Sequence, residues 1–125
     1  MKKLVEIRTY LLKPGTQTEF HTAMFEQALP MLHASGMDVV AFGTSAHEQD
    51  TYFLARAYPD KQAMVAQQNA FYNSKEWQQG PRSLLVDRID SYLNTLIWLS
   101  DSISKSLLSL LRRLAVLQHS RRLRA

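Results

Sequence analysis

Glu6, Arg8 and Tyr10 stand at alternate positions near the start of the chain, and Arg56 and Tyr58 repeat the pattern further on. A carboxylate, two guanidiniums and two phenols gathered in a partly dry space could bind an acid or enol substrate. The guanidinium fork matches a carboxylate with two parallel hydrogen bonds. The same groups could instead form an ion-pair network at a subunit seam, fixing register and orientation. A second set, Phe71, Tyr72 and Trp77 with Met24, has the apolar bulk to wall a pocket between helices and sheet, or to fill an ordinary core. His21 lies near the edge of a helical apolar stripe. It could overhang that pocket or be a half-buried helix residue.

Other chemistries lack their residues. There is no cysteine, so disulfides, thiolate nucleophiles and cysteine-ligated metals are excluded. His21, His33, His47 and His119 have no metal-ligand spacing with one another or with acidic residues. His47, beside Glu48 and Asp50, suits a solvated loop better than a cation clip. No metal and no cofactor are expected. No glycine-rich phosphate loop, serine elbow or paired-carboxylate spacing occurs. Glu6 and His21 are candidate general bases, but nothing marks a nucleophile.

The net charge of +4 is unevenly placed. Residues 1–99 hold nine basic and ten acidic side chains, whereas Ser100 onward holds six basic and one acidic. Phosphate binding needs clustered cations, so nucleic acid is not an expected partner of the main domain. The basic opening resembles that of a signal peptide. Glu6 and Arg8 interrupt its apolar run, so export is not expected and a cytoplasmic location is. No uncharged apolar run approaches the roughly 18 residues of a membrane span.

These residues must be positioned by regular elements. Leu4–Leu12 alternates, with Val5, Ile7 and Thr9 on one face and Glu6, Arg8 and Tyr10 on the other, which predicts a strand. Lys13-Pro14-Gly15 ends it. Thr16 with Glu19 is a capping-box pattern. Phe20, Met24, Ala28 and Leu32 follow at helical spacing. Pro30 removes a backbone donor and predicts a bend, and Ser35-Gly36 a stop. Val39–Thr44 and Thr51–Tyr58 read as strands joined by a polar loop. Asp60 caps a second helix, with Ala63, Ala66, Ala70 and Phe71 expected inward. Asn73-Ser74 stops it, a short turn carries Trp77, and Pro81 opens another helical piece to about Arg88. Ser91–Leu99 is a fourth strand.

The order β-α-β-β-α-β predicts an α+β, ferredoxin-like fold: an antiparallel sheet with its helices on one face, and with the first and third strands as central neighbours. The other face is expected to carry Tyr10, Tyr52, Leu54, Tyr58, Leu96 and Trp98, too apolar to stay wet. A second copy packed across a two-fold axis would cover it.

With these pieces in order, the chain resembles the NIPSNAP family. The resemblance is carried by Val5-Glu6-Ile7-Arg8-Thr9-Tyr10 with Lys13-Pro14-Gly15, by Ala28-Leu29-Pro30, and by Val39 to Gly43. Arg56-Ala57-Tyr58, Phe71-Tyr72, Glu76-Trp77 and Gly80-Pro81-Arg82 complete it. It covers about residues 4 to 99. The resemblance implies a dimeric α/β barrel, mostly without assigned chemistry, whose wider relatives include cofactor-free monooxygenases. It implies no catalytic position here.

The division expected is a domain over 1–99 and a basic helical tail over 100–125, beyond the usual end of the family domain. In the tail, Ile103, Leu107, Leu110, Leu114 and Leu117 form an apolar stripe. Such a stripe could pack on a partner helix or lie on an anionic membrane. Docking on its own domain, or fraying, is the preferred reading. The function expected is a homodimeric module binding a small, partly apolar ligand or a protein partner. The alternative is a cofactor-independent monooxygenase or isomerase using the pocket under the helices.

Overall fold

The alternation near the start becomes β1, Lys2–Leu12, which lies at the centre of a four-stranded antiparallel sheet in a computed structural model. The structure describes residues 2–46, 48–100, 109, 110 and 113. The remaining strands are β2 (Asp38–Thr44), β3 (Thr51–Tyr58) and β4 (Ile89–Ser100). Their order is β2-β3-β1-β4, with β1 and β3 as central neighbours, as the topology requires. The register sets Glu6 opposite Arg56 and Leu4 opposite Tyr58 on one side of β1, and Arg8 opposite Asn94 on the other.

Between β1 and β2 the chain winds through α1 (Gln17–Ala23), a π-helical turn (Met24–Ala28) and α2 (Leu29–Ala34). Pro30 explains the wide turn. It has no N–H to give the carbonyl four residues back, and its ring would crowd that carbonyl. The helix widens just before it, so that Leu29 N–H reaches Met24 O. The expected bend is therefore a local change of winding. The Thr16/Glu19 capping box does not form. Thr16 Oγ1 donates to Lys13 O at 2.7 Å, and Glu19 pairs with Arg88. The cap comes from a distant loop instead: Asp50 accepts from Gly15 N and Gln17 N at 3.1 and 3.3 Å. Gly36, at φ +87°, ends α2 with a left-handed residue.

Between β3 and β4 lie α3 (Lys61–Tyr72), α4 (Lys75–Gln79) and α5 (Arg82–Val86). Asp60 caps α3 as expected, accepting from Ala63 N at 2.7 Å. The inner side of α3 differs from expectation. Ala66 and Ala70 are exposed, while Met64 and Phe71 are buried. Gln68 also turns inward, because a buried carboxylate and a phenol satisfy its amide.

The helices cover the face that carries Glu6, Arg8, Tyr10, Tyr52, Leu54, Arg56 and Tyr58, the reverse of the sequence expectation. Long side chains fill the gap between sheet and helices, and Phe20, Met24, Leu32, Phe71 and Trp77 complete that core. The opposite face is built from smaller residues: Val5, Val40, Ala41, Ala55 and Ala57, with Ile7, Phe53, Ile97 and Leu99 packed on them. Leu96 and Trp98 lie in phase with Glu6 and Leu4, on the helix-side face, and both are exposed. The expected apolar tail, residues 102–118, lies outside the described residues except for Ser109, Leu110 and Arg113, which are helical. His47 and His119 also lie outside them.

Candidate functional site

The strand alternation and register bring the charged residues together. Arg56 Nε and Nη2 donate to Glu6 Oε1 at 2.9 and 2.6 Å. Glu6 Oε2 accepts from Gln68 Nε2 at 3.1 Å and from Arg8 Nη2 at 3.3 Å. Arg56 Nη1 donates to Tyr72 Oη at 2.9 Å, and Gln68 Nε2 also donates to Tyr58 Oη at 3.0 Å. Both partners of the Glu6–Arg56 pair are out of water, at 1% and 0% exposed. Desolvating two such charges costs several kcal/mol each, and the arrangement persists only if the remaining lone pairs and protons are satisfied. Among the described residues no buried side-chain nitrogen or oxygen lacks a partner.

Two of these partners, Gln68 and Tyr72, sit on α3. The network is therefore internal to one subunit, sealed between sheet and helix. That replaces the expectation of a subunit seam. Burial acts to lower the Arg56 pKa, but Tyr72 and Glu6 outweigh it and the net direction is upward, so the residue stays cationic. Burial pushes the Tyr58 phenol up, against the neighbouring Arg56.

Beside this network lies a cavity of about 410 Å³. Its sheet side is Arg8, Tyr10 and Leu54. Met24, Ala28 and Leu32 come from the wide turn and α2. Phe71, Tyr72 and Trp77 form a further wall, their rings at 5.1 to 5.5 Å between centroids. Leu85, Ile89, Asp90 and Tyr92 complete it from α5 and β4. Trp77 is placed by Ser74, which caps α4 by accepting from Trp77 N at 3.3 Å. Gly80 lets the chain turn tightly after α4, since a Cβ there would run into the Glu76 carbonyl and Met31.

Arg8 is the cation of this cavity. Its Nε donates to Asn94 Oδ1 at 2.8 Å, and its guanidinium carbon lies 4.9 Å from the centre of the Tyr92 ring. Its side chain is 14% exposed. Burial acts to lower its pKa, but Tyr10 and Tyr72 outweigh it and the net direction is upward. Burial, reinforced by Tyr72, pushes the Tyr10 phenol up to about 12, against the opposing pull of Arg8 and Arg56. Tyr10 is therefore a protonated donor at neutral pH.

Of the sequence candidates, Arg8, Tyr10, Met24, Phe71, Tyr72 and Trp77 line the cavity. Glu6, Arg56 and Tyr58 stand behind it, linked through Tyr72 and Gln68. His21 does not line it. The ring is buried, with Nδ1 against Tyr52 Oη and a face towards Phe42. Sequence reasoning missed Phe20, Leu54, Asp90 and Tyr92. Tyr92 and Asn94 were discoverable, because β4 alternates in phase with Tyr10 and Arg8. Among the described residues no group of three or more His, Asp or Glu is placed to hold a metal.

A family model, NIPSNAP, matches residues 5–99. Among solved structures, an uncharacterised NIPSNAP domain protein from Burkholderia xenovorans superposes with a TM-score of 0.69 at 21% identity, over 78% of this chain and 95% of that one. A NIPSNAP family protein from Agrobacterium tumefaciens gives 0.71 at 17%, over 79% and 94%. A putative antibiotic biosynthesis monooxygenase from Nitrosomonas europaea gives 0.56 at 15%, over 75% and 95%. At these identities the structural likeness shows the fold alone. No curated protein matches the sequence significantly. The family match runs from the first strand to the last and includes both the sealed ion pair and the cavity beside it: the chain belongs to the NIPSNAP family.

Proposed function

We propose that this chain is a homodimeric binding module that holds a small, partly apolar ligand in the cavity between sheet and helices. One observation carries the reading: about 410 Å³ of space, walled by aromatics and Met24, with a guanidinium and two phenols at one side. Ligand sites are concave and mostly apolar, with a few placed polar groups. The volume lies within the usual range for small-molecule pockets, which begins at roughly 300 Å³.

Dimerisation draws support from β4. Tyr92, Leu93, Leu96 and Trp98 are 58%, 70%, 41% and 52% exposed on an edge strand. An apolar edge of this kind is a template for pairing with another chain. The lack of cysteine suits a reducing, cytoplasmic setting. Native mass spectrometry of the full chain tests the proposal. A dimer is expected, carrying a retained small molecule or binding one with displacement by competitors. Leu93→Asp is expected to give monomers. A monomeric wild-type protein overturns the dimer, and failure of any small molecule to shift cavity resonances overturns the module.

A second reading, a cofactor-independent monooxygenase or isomerase, draws on the Nitrosomonas europaea neighbour and on the donors Arg8 and Tyr10, which could stabilise a developing oxyanion. Glu6 is poorly placed for proton abstraction, since both its oxygens are occupied by N–H donors. That observation favours binding over catalysis. Turnover of a bound ligand under oxygen would reverse the preference.

A further inference from the structure

We propose that the cavity selects a monoanion: a ligand with one carboxylate, or a similar oxyanion, against Arg8, Tyr10 and Tyr72, and an apolar body against Met24, Phe71 and Trp77. This rests on the cavity being a ligand site.

The first argument is charge. Glu6 is the carboxylate within reach of both guanidiniums, and it is committed to Arg56 by two bonds to one oxygen. Arg8 touches its second oxygen at 3.3 Å, and that oxygen also serves Gln68. Two cations share one anion, so the cluster carries an excess positive charge at the cavity wall.

The second argument is the excess of donors. Tyr72 Oη accepts from Arg56, and the Tyr10 phenol stands beside Arg8 on the cavity wall. A phenol that accepts from a guanidinium must point its own proton elsewhere. Among the described residues neither proton meets an acceptor. Arg8 has donors left after Asn94 and Glu6, because a guanidinium carries more N–H groups than these two use. A ligand that supplies acceptor atoms, and negative charge, completes the set. A planar carboxylate does both.

The third argument limits the ligand to one charge. The other ionised group on the cavity lining is Asp90, exposed on the β4 side. A second anionic group reaching that side would meet a like charge, and the remaining walls, apolar apart from the Ser91 and Tyr92 hydroxyls, offer no second cation.

The test uses amide-resolved NMR titrations of the full chain with matched pairs: 3-phenylpropionate, 4-phenylbutyrate and indole-3-acetate, each beside its primary amide. Acids are expected to bind about tenfold or more tightly than amides, the scale of a charge-assisted hydrogen bond. Arg8→Gln is expected to abolish the preference, and Arg8→Lys to restore part of it. Tyr72→Phe is expected to weaken the acids more than the amides, since a charge-assisted bond is lost in one case and a neutral one in the other, with the melting temperature of each variant measured alongside. Equal binding of acids and amides, or a preference that survives Arg8→Gln, overturns the proposal and leaves the ligand-site reading standing. Tight binding of 3-(4-carboxyphenyl)propionate, equal to its monoacid parent, overturns the restriction to one charge. If neither acids nor amides shift cavity resonances, the ligand-site reading and the proposal both fail.

Discussion

Arg56 and Arg8 project from neighbouring strands onto the same face of one sheet and share one carboxylate, yet they live in different media. Arg56 is fully enclosed beneath α3, with Glu6, Tyr72 and Met37 around its guanidinium. Arg8 lies one ladder step along towards β4, between Asn94 and an exposed tyrosine ring, and looks onto empty volume. The difference comes from what lies above each strand. α3 closes the β1–β3 half of the sheet, whereas β4 is an edge strand with exposed side chains along most of its length. Where the roof is complete, charge serves structure. Where it is incomplete, charge faces the cavity.

Four measurements break or sharpen this contrast. The largest effect is expected from Arg56→Ala, which strands Glu6 in a dry site. Chemical denaturation should show a loss of about 3–5 kcal/mol, the range for breaking a buried ion pair. Replacing both partners together, Glu6→Leu with Arg56→Met, should cost clearly less, since no uncompensated charge remains. Next is Tyr72→Phe, which removes the acceptor for Arg56 Nη1. A loss of about 1.5–3 kcal/mol is expected, because the lost bond is to a charged group.

The third is alkaline stability. Tyr10 titrates near 12 in the folded chain and near 10 when unfolded. The folded state holds its proton longer, so stability is full below pH 10 and falls as pH rises towards 12. The loss is about 2 kcal/mol across that window. Tyr58 shifts in the same direction. Tyr10→Phe should flatten this fall in melting temperature between pH 10 and 11.5, and an unchanged slope would show that Tyr10 is not its source. The smallest effect is expected from Arg8→Gln without ligand: below about 1 kcal/mol, as for other partly solvated pairs. A loss as large as that of Arg56→Ala would mean that Arg8 is structural, and the contrast between the two arginines would collapse.

Much of this arrangement was legible in the sequence. Period-two alternation in two segments was enough to place Glu6, Arg8 and Tyr10 on one face and Arg56 and Tyr58 beside them, and the topology made β1 and β3 neighbours. Which face the helices cover was not legible. Both faces read as too apolar to stay wet, and the charged one was assigned to a second copy because an ion-pair network suits a seam as well as a core; Glu6 and Arg56 in fact neutralise each other beneath a helix. Gln68 misled for the same reason: a polar residue on the inner side of α3 is explicable only once Glu6 and Tyr58 are seen beneath it. The helix cap failed differently. Thr16 and Glu19 satisfied a local pattern, but Asp50 reached the same amides from across the fold. Local rules rank local competitors and are silent about distant ones.

The π-helical turn at Met24–Ala28 has a consequence for how such domains diverge. Each residue of a regular helix turns its neighbour by roughly 100°, so a one-residue change in winding re-aims everything on one side of it relative to the other. Met24 and Ala28 face the cavity from within the wide turn and Leu32 from beyond it. Deleting one residue between Phe25 and Gln27, or freeing the backbone with Pro30→Ala, would let the coil tighten and swing these side chains apart. The size of the chamber is thus adjustable by a single codon in the helical layer, while the sheet beneath and its ion pair stay as they are.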